Sequence, residues 1–454
     1  MECALRVPVF VRCLTQDLGG SPAADQRLLE AIHDHGWWIS KKLSLYSSLG
    51  NHTIAESVGL VFAGAVFRLE QGGRAWLETG IRLLEQELAH QVLADGGPAE
   101  QSLAYHRFVL DLYWLAVSFL ELNRLHDCSS WKPPLLRGEA FLEAFQVRPG
   151  EVPSIGDSDD GHAVAPGLHP TRGDGLAVPD AGDRVTAQNV AGISCSTFHD
   201  AGYSVVRSDR GLFLTLDHGP LGMAPLYNHG HADALSITLA VNGTALIVDP
   251  GTYRYNGVPE WRRYFKGTRA HNTVCVDGED QAVQETSFLW SKPYRAELEE
   301  QYFGEDGLRL VARHDGYRRL KRPVVHRRTV QIGPDGTTLL SDAFSGPGRH
   351  SFELHFHLHP EVSVTRDGPW WKVERTGQCA WIGLLGPRES RFEVRRGEES
   401  PIFGWYSRGY GHKEPAPVLR FRREGACEEV GFVTAICLER PGDDAVLRER
   451  ELAR

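Results

Sequence analysis

The chain has 454 residues and a formal net charge of −10 at pH 7, and 24% of its residues are charged. A chain of this length is too long for a single core and fits two large domains. The acidic balance, without a dominant basic stripe, argues against nucleic acid as a partner. No apolar run reaches the roughly 18 residues of a membrane-spanning helix, and the start is not typical of a signal peptide.

Apolar residues recur at helical spacing through the first third of the chain. Leu77, Ile81 and Leu84 lie three or four residues apart, and the same rhythm runs through residues 101–125. Since residues three and four apart share one face of a helix, the pattern predicts amphipathic helices. We therefore expect an all-α domain over residues 1–148.

Residues 149–190 break this rhythm. Twelve of these 42 residues are Gly or Pro, and aspartate is frequent. Because Gly and Pro interrupt both helices and strands, the segment is predicted to be a long linker loop between domains. Its most acidic part, residues 156–161, fits either a solvated turn or a functional loop.

From residue 191 onward the chain has the pattern of β-strands. Short runs rich in Val, Ile, Leu and Thr are separated by Gly, Asp and Pro. Such runs lie at 202–207, 212–217, 235–241, 245–249, 273–276 and 324–331. Many short strands with turn residues between them predict an antiparallel β-sandwich over residues 191–454.

Residue types that bind metals are concentrated between positions 229 and 271. His229 and His231 are two apart, so on a strand they would project to the same side. Asp249 ends the next predicted strand, and His271 precedes a third. Two imidazoles and one carboxylate suit Zn²⁺, so His231, Asp249 and His271 form a candidate zinc site. The alternative is that they are buried, hydrogen-bonded groups at strand ends.

Between Asp249 and His271 lies a run of basic and aromatic residues. Guanidinium groups bind carboxylate and sulfate in a bidentate manner, and aromatic rings offer flat faces on which sugars stack. The run predicts an acidic polysaccharide as ligand, and the alternative is a solvated surface with unrelated charges. The candidate substrate-binding residues are Tyr255, Arg262, Arg263, Tyr264, Lys266 and Arg269.

Together with polar segments around Asn51 and Tyr105 of the helical half, these residues resemble the heparinase II/III-like polysaccharide lyases. The strings that carry the resemblance are SSLGNHTIAESVGLVFAGAVF, EQSLAYHRFVLDLYWLA, IGDSDDG, NHGHADALSITLAVNGTALIVDPGTYRY and YFKGTRAHNTVCVDG. The resemblance runs through nearly the whole chain and is specific in the order and spacing of its residues. The resemblance implies an α+β multidomain fold: an N-terminal (α/α) toroid, then a large antiparallel β-sandwich, with the active site between them.

The resemblance also implies roles for individual residues. Asn51 matches the residue that neutralises the uronate carboxylate, and His52 follows it. Tyr105 matches the catalytic tyrosine, and His229 matches the active-site histidine. From the residues alone, Asn51 is an N-cap and Tyr105 packs between helices. The three candidate metal residues match zinc ligands whose role in the family is largely structural.

The start of the chain departs from the family pattern. Members usually have a longer helical region before the Asn-His motif, whereas here only about fifty residues precede Asn51. The toroid is therefore expected to be incomplete, through truncation or as a reduced form. Family resemblance implies a periplasmic or extracellular location, and a genuine start at Met1 implies a cytoplasmic one.

The expected activity is β-elimination on a uronate-containing acidic polysaccharide. Asn51 and His52 would stabilise the developing enolate, at about 3 kcal/mol per donor. Tyr105 and His229 would transfer the two protons, and the sequence leaves open which of them is the base and which the acid. The alternatives are a non-catalytic polysaccharide-binding or exopolysaccharide-biosynthesis accessory protein, and a zinc hydrolase that activates water. The sequence leaves open the oligomeric state and the choice among glycosaminoglycan-like, alginate-like and bacterial polymers.

Overall fold

The structure is a computed structural model that describes residues 1–16, 21–46, 48–164, 176–386 and 390–442. The chain divides into two compact units. The first consists of Met1–Glu100, Tyr105–Phe141 and Gly161–Ala181, and the second of Gln101–Ala104, Leu142–Asp160 and Gly182–Arg454. Within the described residues, no helix combines the length and apolarity needed to cross a membrane.

Helices that lie wholly or largely in the first unit account for most of it, and the predicted helical region is confirmed. In chain order they are α1 (Glu2–Thr15), α2 (Pro22–Lys41), α3 (Asn51–Val66), α4 (Gln71–Gln91), α5 (Leu103–Leu122) and α6 (Lys132–Ala144).

Helix α3 forms the centre of the first unit. All its residues except His52 and Val66 are buried, as expected for a helix that is apolar on every side. It packs against α1, α2 and α4. A Cβ added at Gly64 would lie 2.4 Å from a backbone nitrogen of α4, and one at Gly80 would lie 2.7 Å from a backbone oxygen of α3. The small residues therefore permit the close approach of the two helices.

Helix α5, which carries Tyr105 in its first turn, is fixed against the same two helices. The ring of Phe119 stacks on that of Phe62 of α3, with centroids 3.8 Å apart. The Tyr113 hydroxyl donates a hydrogen bond to the Leu84 carbonyl of α4, at 2.9 Å. Aromatic packing with a satisfied hydroxyl thus determines where the start of α5 lies.

Antiparallel strands are the main secondary structure of the second unit, and one further helix, α7 (Pro259–Lys266), lies among them. The described strands are β1 (Val185–Val190), β2 (Ile193–Phe198), β3 (Tyr203–Ser208), β4 (Leu212–Asp217), β5 (Ile237–Val241), β6 (Thr244–Ile247), β7 (Val274–Val276), β8 (Val283–Gln284), β9 (Trp290–Ser291), β10 (Ala296–Gly304), β11 (Gly307–His314), β12 (Val325–Ile332), β13 (Thr338–Ser345), β14 (Arg349–His357), β15 (Ser363–Asp367), β16 (Trp370–Arg375), β17 (Gln378–Gly386), β18 (Glu393–Arg396), β19 (Glu398–Glu399), β20 (Ile402–Phe403), β21 (Trp405–Gly409), β22 (His412–Pro415), β23 (Pro417–Ala426) and β24 (Gly431–Cys437).

The larger sheets pack into the predicted antiparallel sandwich, which is confirmed. One sheet has the order β1-β2-β3-β4-β5-β6, a second β10-β11-β12-β13-β24-β17-β16-β15, and a third β18-β23-β14-β7. Buried side chains from the sheets form one apolar core, with Leu214 and Leu239 from the first sheet and Val330 and Ile382 from the second. Strand β1 covers the last six residues of the predicted linker. This strand lies at the edge of its sheet and is poorly buried. Its sequence therefore lacks the apolar alternation by which a strand is recognised.

Two connections of the first sheet place the candidate residues. Strands β4 and β5 pair with Leu216 opposite Ile237, so the long loop of residues 218–236 begins and ends at one end of the sheet. Asn242 and Gly243 then connect β5 to β6 with φ angles of 46° and 76°. Since both angles are positive, this tight Asn-Gly hairpin returns the chain towards the same end.

A buried ion pair links the sandwich to this loop. Arg328 Nε donates to Asp342 Oδ1 at 2.7 Å, and Arg328 Nη2 donates to Oδ2 at 3.1 Å. Arg328 Nη1 donates to the carbonyls of Leu235 and Asn272, both at 2.7 Å. Burial would raise the pKa of Asp342, but the Arg328 charge and the His326 hydrogen bond lower it to about 2.

We expect Asp342→Ala to reduce the free energy of unfolding by about 3–5 kcal/mol, because Arg328 stays buried without its counter-charge. The double variant Arg328→Met/Asp342→Leu removes both charges and should lose less than Asp342→Ala alone. Chemical denaturation of the wild type and the variants measures both effects. A double variant less stable than Asp342→Ala would contradict this account.

Candidate functional site

His229 and His231 lie in the 218–236 loop, not on a strand, so the strand expectation for this pair is wrong. The loop contains Tyr227 and Leu235 with φ angles of 56° and 63°, and a left-handed backbone interrupts a strand. Both histidines are nevertheless directed to one place, because each ring contacts the side chain of Asp157.

Asp157 is fully buried and binds three side chains at once. Its Oδ2 lies 3.2 Å from His229 Nδ1, and its Oδ1 lies 3.1 Å from His231 Nε2. Arg262 donates to both carboxylate oxygens, with 2.8 Å between Nη2 and Oδ2. Of the two interpretations of residues 156–161, a solvated turn does not hold for Asp157. The role of this residue is missing from the sequence prediction, although its segment was among the recognisable strings.

The local charge balance keeps Asp157 ionised. Burial alone would raise its pKa, but the Arg262 charge and the hydrogen bonds from His229 and His231 hold the pKa well below its ordinary value. An ionised carboxylate only accepts hydrogen bonds, so both imidazoles donate to it. The site therefore contains a negative charge that is matched locally and shielded from solvent.

His231, Asp249 and His271 come together as the sequence predicts. One ligand atom from each lies within 4.8 Å of the other two, and His271 Nδ1 is 3.1 Å from Asp249 Oδ2. Nδ1 of His231 and Nε2 of His271 are buried and lack a hydrogen-bond partner among the described residues. Buried nitrogens without partners are costly, and two imidazoles with one carboxylate suit Zn²⁺. The residues therefore fit a zinc ion.

Asn272 fixes the backbone around these three residues. Its Nδ2 donates to the Ile237 carbonyl at 2.7 Å and to the Val248 carbonyl at 2.9 Å. Its Oδ1 accepts from the backbone nitrogen of His357 at 2.6 Å. One buried amide thus joins β5, the end of β6 and β14 beside Asp249 and His271. This role of Asn272 has no signal in the sequence, because a lone amide after a histidine has no distinctive pattern.

The basic and aromatic run is less exposed than its composition suggests. Arg262 is 1% exposed and Lys266 is 0% exposed. Lys266 Nζ donates to the Thr286 carbonyl at 2.8 Å and lies 4.3 Å from the centre of the Trp290 ring. The Tyr264 hydroxyl accepts hydrogen bonds from two backbone nitrogens of the 404–405 segment. All three side chains thus have their partners inside the second unit.

Tyr255 is also largely buried, and the Arg262 guanidinium lies 5.1 Å from its ring centre. Arg263 is exposed and Arg269 is partly exposed. These two line an open groove of about 580 Å³ together with Arg319. The same groove is also lined by the acidic residues Glu260, Glu279, Asp280 and Glu399. Acids beside the arginines reduce the positive potential that an anionic ligand would meet.

In the first unit, Asn51 is held by a buried glutamate. Glu100 Oε1 accepts from the Asn51 backbone nitrogen, and Glu100 Oε2 accepts from Asn51 Nδ2, both at 3.1 Å. Asn51 is the first residue of α3, and the N-cap position belongs to Gly50, so the interpretation of Asn51 as an N-cap is wrong. His52 follows on the same turn and is partly exposed. Sequence reasoning missed Glu100, which contacts Asn51 across 49 positions.

Tyr105 lies in the first turn of α5 and is 8% exposed. Its neighbour His106 is buried, and its Nε2 lies 2.9 Å from the Gly96 carbonyl. Burial and the Arg107 charge lower the pKa of His106 to about 3. His106 is therefore neutral near pH 7 and supplies no positive charge to the Tyr105 hydroxyl.

Comparison with known proteins finds similar chains. A family model described as Heparinase II/III-like, C-terminal, matches residues 193–432, and one described as Heparinase II/III N-terminus matches residues 21–135. The heparin-sulfate lyase of Bacteroides stercoris is 22% identical over 441 residues, which cover 91% of this chain and 60% of the relative. The heparin-sulfate lyase of Bacteroides thetaiotaomicron is 24% identical over 342 residues, which cover 69% and 47%.

A solved structure of heparinase III superposes on this chain with a TM-score of 0.75 at 18% identity. The match covers 98% of this chain and 70% of that one. It supports the fold, a helical N-terminal region followed by a large antiparallel β region. The chain spans only 60% and 47% of the two curated relatives.

Gly50 allows the contact between Asn51 and Glu100. Its φ angle is 91°, and an added Cβ would lie 1.8 Å from Glu100 Oε1. We expect Gly50→Ala to destabilise the protein by at least about 1 kcal/mol through backbone strain. Gly72→Ala in the first turn of α4 is the matched control, because its Cβ would meet nothing within 4 Å. The control should be neutral or stabilising by up to about 1 kcal/mol, and equal losses in the two variants would contradict this explanation.

Lys266 gives the fold a pH dependence. Burial and the Arg262 charge lower its pKa from 10.5 to about 7. Between these values the unfolded chain binds more protons than the folded one, so this lysine makes the fold more stable as pH rises. The melting temperature of the wild type relative to Lys266→Met should increase from pH 7 to about pH 10. The exposed Lys321→Met is the control, and a pH-independent difference for Lys266→Met would rule out this effect.

Proposed function

This chain belongs to the heparinase II/III-like family, and we propose that it is a polysaccharide lyase that cleaves a uronate-containing acidic polysaccharide by β-elimination. The names of the curated relatives, heparin-sulfate lyases, favour a glycosaminoglycan as the first substrate to test. Alginate-like and bacterial polymers carry the same reacting unit and belong to the same proposal.

Two features carry the proposal. The three candidate zinc ligands, called here the metal-type residues, are buried, and the nearby His229 is oriented for proton transfer. His231, Asp249 and His271 are 1%, 3% and 0% exposed. A hydrolytic zinc site needs an open position for water, whereas structural sites are closed. His229 has its Nδ1 hydrogen bond to the ionised Asp157, an arrangement typical of a histidine that transfers protons. These features favour a lyase over a zinc hydrolase.

In the proposed reaction the C5–H bond of the uronate breaks and its proton passes to a base. The electron pair forms the C4–C5 double bond, the C4–O bond breaks, and the leaving oxygen takes a proton from an acid. Tyr105 and His229 carry the two proton transfers. Asn51, with His52, donates hydrogen bonds to the uronate carboxylate, where negative charge grows in the transition state. Glu100 keeps the Asn51 side chain in its orientation.

A zinc ion at His231, Asp249 and His271 would supply a cross-link between three segments of the second unit. Asn272 and Arg328 already hold the backbone of those segments. His229 is separated from His231 by one residue, so a fixed His231 also limits how far His229 moves.

The substrate-binding part of the proposal is narrower than the sequence alone suggests. Arg262, Tyr264, Lys266 and Tyr255 stabilise the second unit from inside. Arg263 and Arg269 remain the candidates for contact with acidic groups, because their guanidinium groups reach solvent. Because acidic residues line the same groove, it would attract a polyanion only weakly in general. A polymer whose negative groups are spaced to meet the two arginines is the better match.

Tyr105→Phe should decrease kcat by about 10²–10⁴, because it removes a hydroxyl that transfers a proton, with little change in melting temperature. The measurement is ultraviolet absorbance of the unsaturated uronate, on a panel of heparan sulfate, hyaluronan and alginate. Tyr302→Phe on β10 is the matched control, because that side chain is 58% exposed. The lyase proposal fails if the wild type binds these polymers without forming the unsaturated product, or if Tyr105→Phe keeps wild-type turnover.

A further inference from the structure

We propose that Asp157 is a positioning residue that couples the metal site to His229. One buried carboxylate orients the ring of the metal ligand His231 and the ring of His229, and Arg262 supplies its counter-charge. The part that concerns His229 rests on the proposed function, whereas the part that concerns His231 stands without it.

The orientation of His231 follows from which nitrogen Asp157 binds. Nε2 of His231 lies 3.1 Å from Asp157 Oδ1, and since the carboxylate only accepts, Nε2 carries the hydrogen. Nδ1 then carries the lone pair. That Nδ1 atom is buried and has no hydrogen-bond partner among the described residues, and His231 forms a candidate metal site with Asp249 and His271. Asp157 therefore selects the tautomer in which His231 is able to bind a metal.

The same carboxylate determines the state of His229. Nδ1 of His229 lies 3.2 Å from Asp157 Oδ2, so Nδ1 carries the hydrogen and the neutral ring has its lone pair on Nε2. His229 and His231 are bound to the two oxygens of one planar group. Because both oxygens belong to one rigid group, Asp157 fixes the orientation of the two rings relative to each other.

The backbone of Asp157 is fixed as well, so the carboxylate has little freedom to follow a displaced ring. Its nitrogen donates to the His229 carbonyl at 2.9 Å, and its carbonyl accepts from Ser102 Oγ at 2.6 Å. The preceding Gly156 has a φ angle of 70°, and an added Cβ would lie 2.3 Å from the Gln101 carbonyl. Both ends of Asp157 are thus bound within the second unit.

Arg262 has a different role, because its guanidinium group donates hydrogen bonds to the Asp157 carboxylate. Its Nε donates to the Ser287 carbonyl at 3.0 Å, and its guanidinium lies 5.1 Å and 5.6 Å from the ring centres of Tyr255 and Phe288. Neutralising the charge of Asp157 and orienting the histidines are therefore separable by mutation.

The experiment compares Asp157→Asn with the charge-neutral double variant Asp157→Asn/Arg262→Met. An amide has one acceptor and one donor group, so it is unable to accept from both histidines. The single variant also leaves Arg262 buried without a counter-charge and should have a lower melting temperature. The double variant should recover much of that loss, because it contains no unmatched charge.

The zinc affinity of the variants distinguishes two roles of Asp157, the orientation of His231 and the neutralisation of Arg262. Measured by competition with a colorimetric chelator and by elemental analysis, it should decrease by about 10- to 100-fold in both variants. On a polymer that the wild type cleaves, kcat should decrease in both variants while KM changes less. Asp160→Asn is the matched control from the same loop, since Asp160 accepts a hydrogen bond from the Tyr410 backbone nitrogen, and it should keep wild-type zinc affinity.

Three results would overturn the proposal. They are wild-type zinc affinity in Asp157→Asn, recovery of zinc affinity in the double variant together with stability, and a wild type that binds no zinc. The second result would mean that Asp157 only neutralises Arg262. If none of the uronate polymers is cleaved, the proposed function fails separately, and the zinc affinities still decide whether Asp157 positions His231.

Discussion

A carboxylate is stable in a protein interior only when its charge is matched and its oxygens are hydrogen-bonded. Asp157 meets this condition with groups from segments that are far apart in sequence: His229 is 72 positions away, and Arg262 is 105 positions away. Backbone hydrogen bonds join the 218–236 loop to the 151–160 segment and to helix α7. The shared ionic contact adds a link among all three.

A second buried ion pair contacts the same region. Arg328 joins Asp342 to the carbonyl of Leu235, within the 218–236 loop, and to the carbonyl of Asn272, the residue after His271. Fully satisfied polar networks of this kind restrict a core to one geometry, whereas apolar packing alone tolerates small shifts. One ionic cluster thus contacts His231 directly, and the other holds the backbone next to His271.

The fold was predictable because its signals are periodic. Residues such as Leu77, Ile81 and Leu84 repeat along one helix face, and the short strands of the second unit alternate with turn residues. The grouping of His231, Asp249 and His271 was also accessible, since antiparallel strands bring successive ends together. Asp157, Glu100 and Asn272 were not found, because each is a single polar residue whose partner lies tens of positions away.

Burial was the other limit of sequence reasoning. A run with Arg262, Lys266 and Tyr264 has the composition of a ligand-binding surface, yet all three side chains are buried with internal partners. The sequence shows which side chains are charged, but only the three-dimensional structure shows which of them are exposed to solvent. Helix α7 shows the consequence: Arg263 is exposed while Arg262 beside it is 1% exposed, so neighbouring arginines have unrelated tasks.

The burial of the metal-type residues is consistent with the chemistry proposed for this chain. In β-elimination the reacting carbon lies next to a carboxylate, and hydrogen-bond donors such as Asn51 are sufficient to stabilise the charge that develops there. The proposed reaction requires a histidine with a defined tautomer at a defined position in the second unit. The hydrogen bond between His229 and Asp157 supports both requirements.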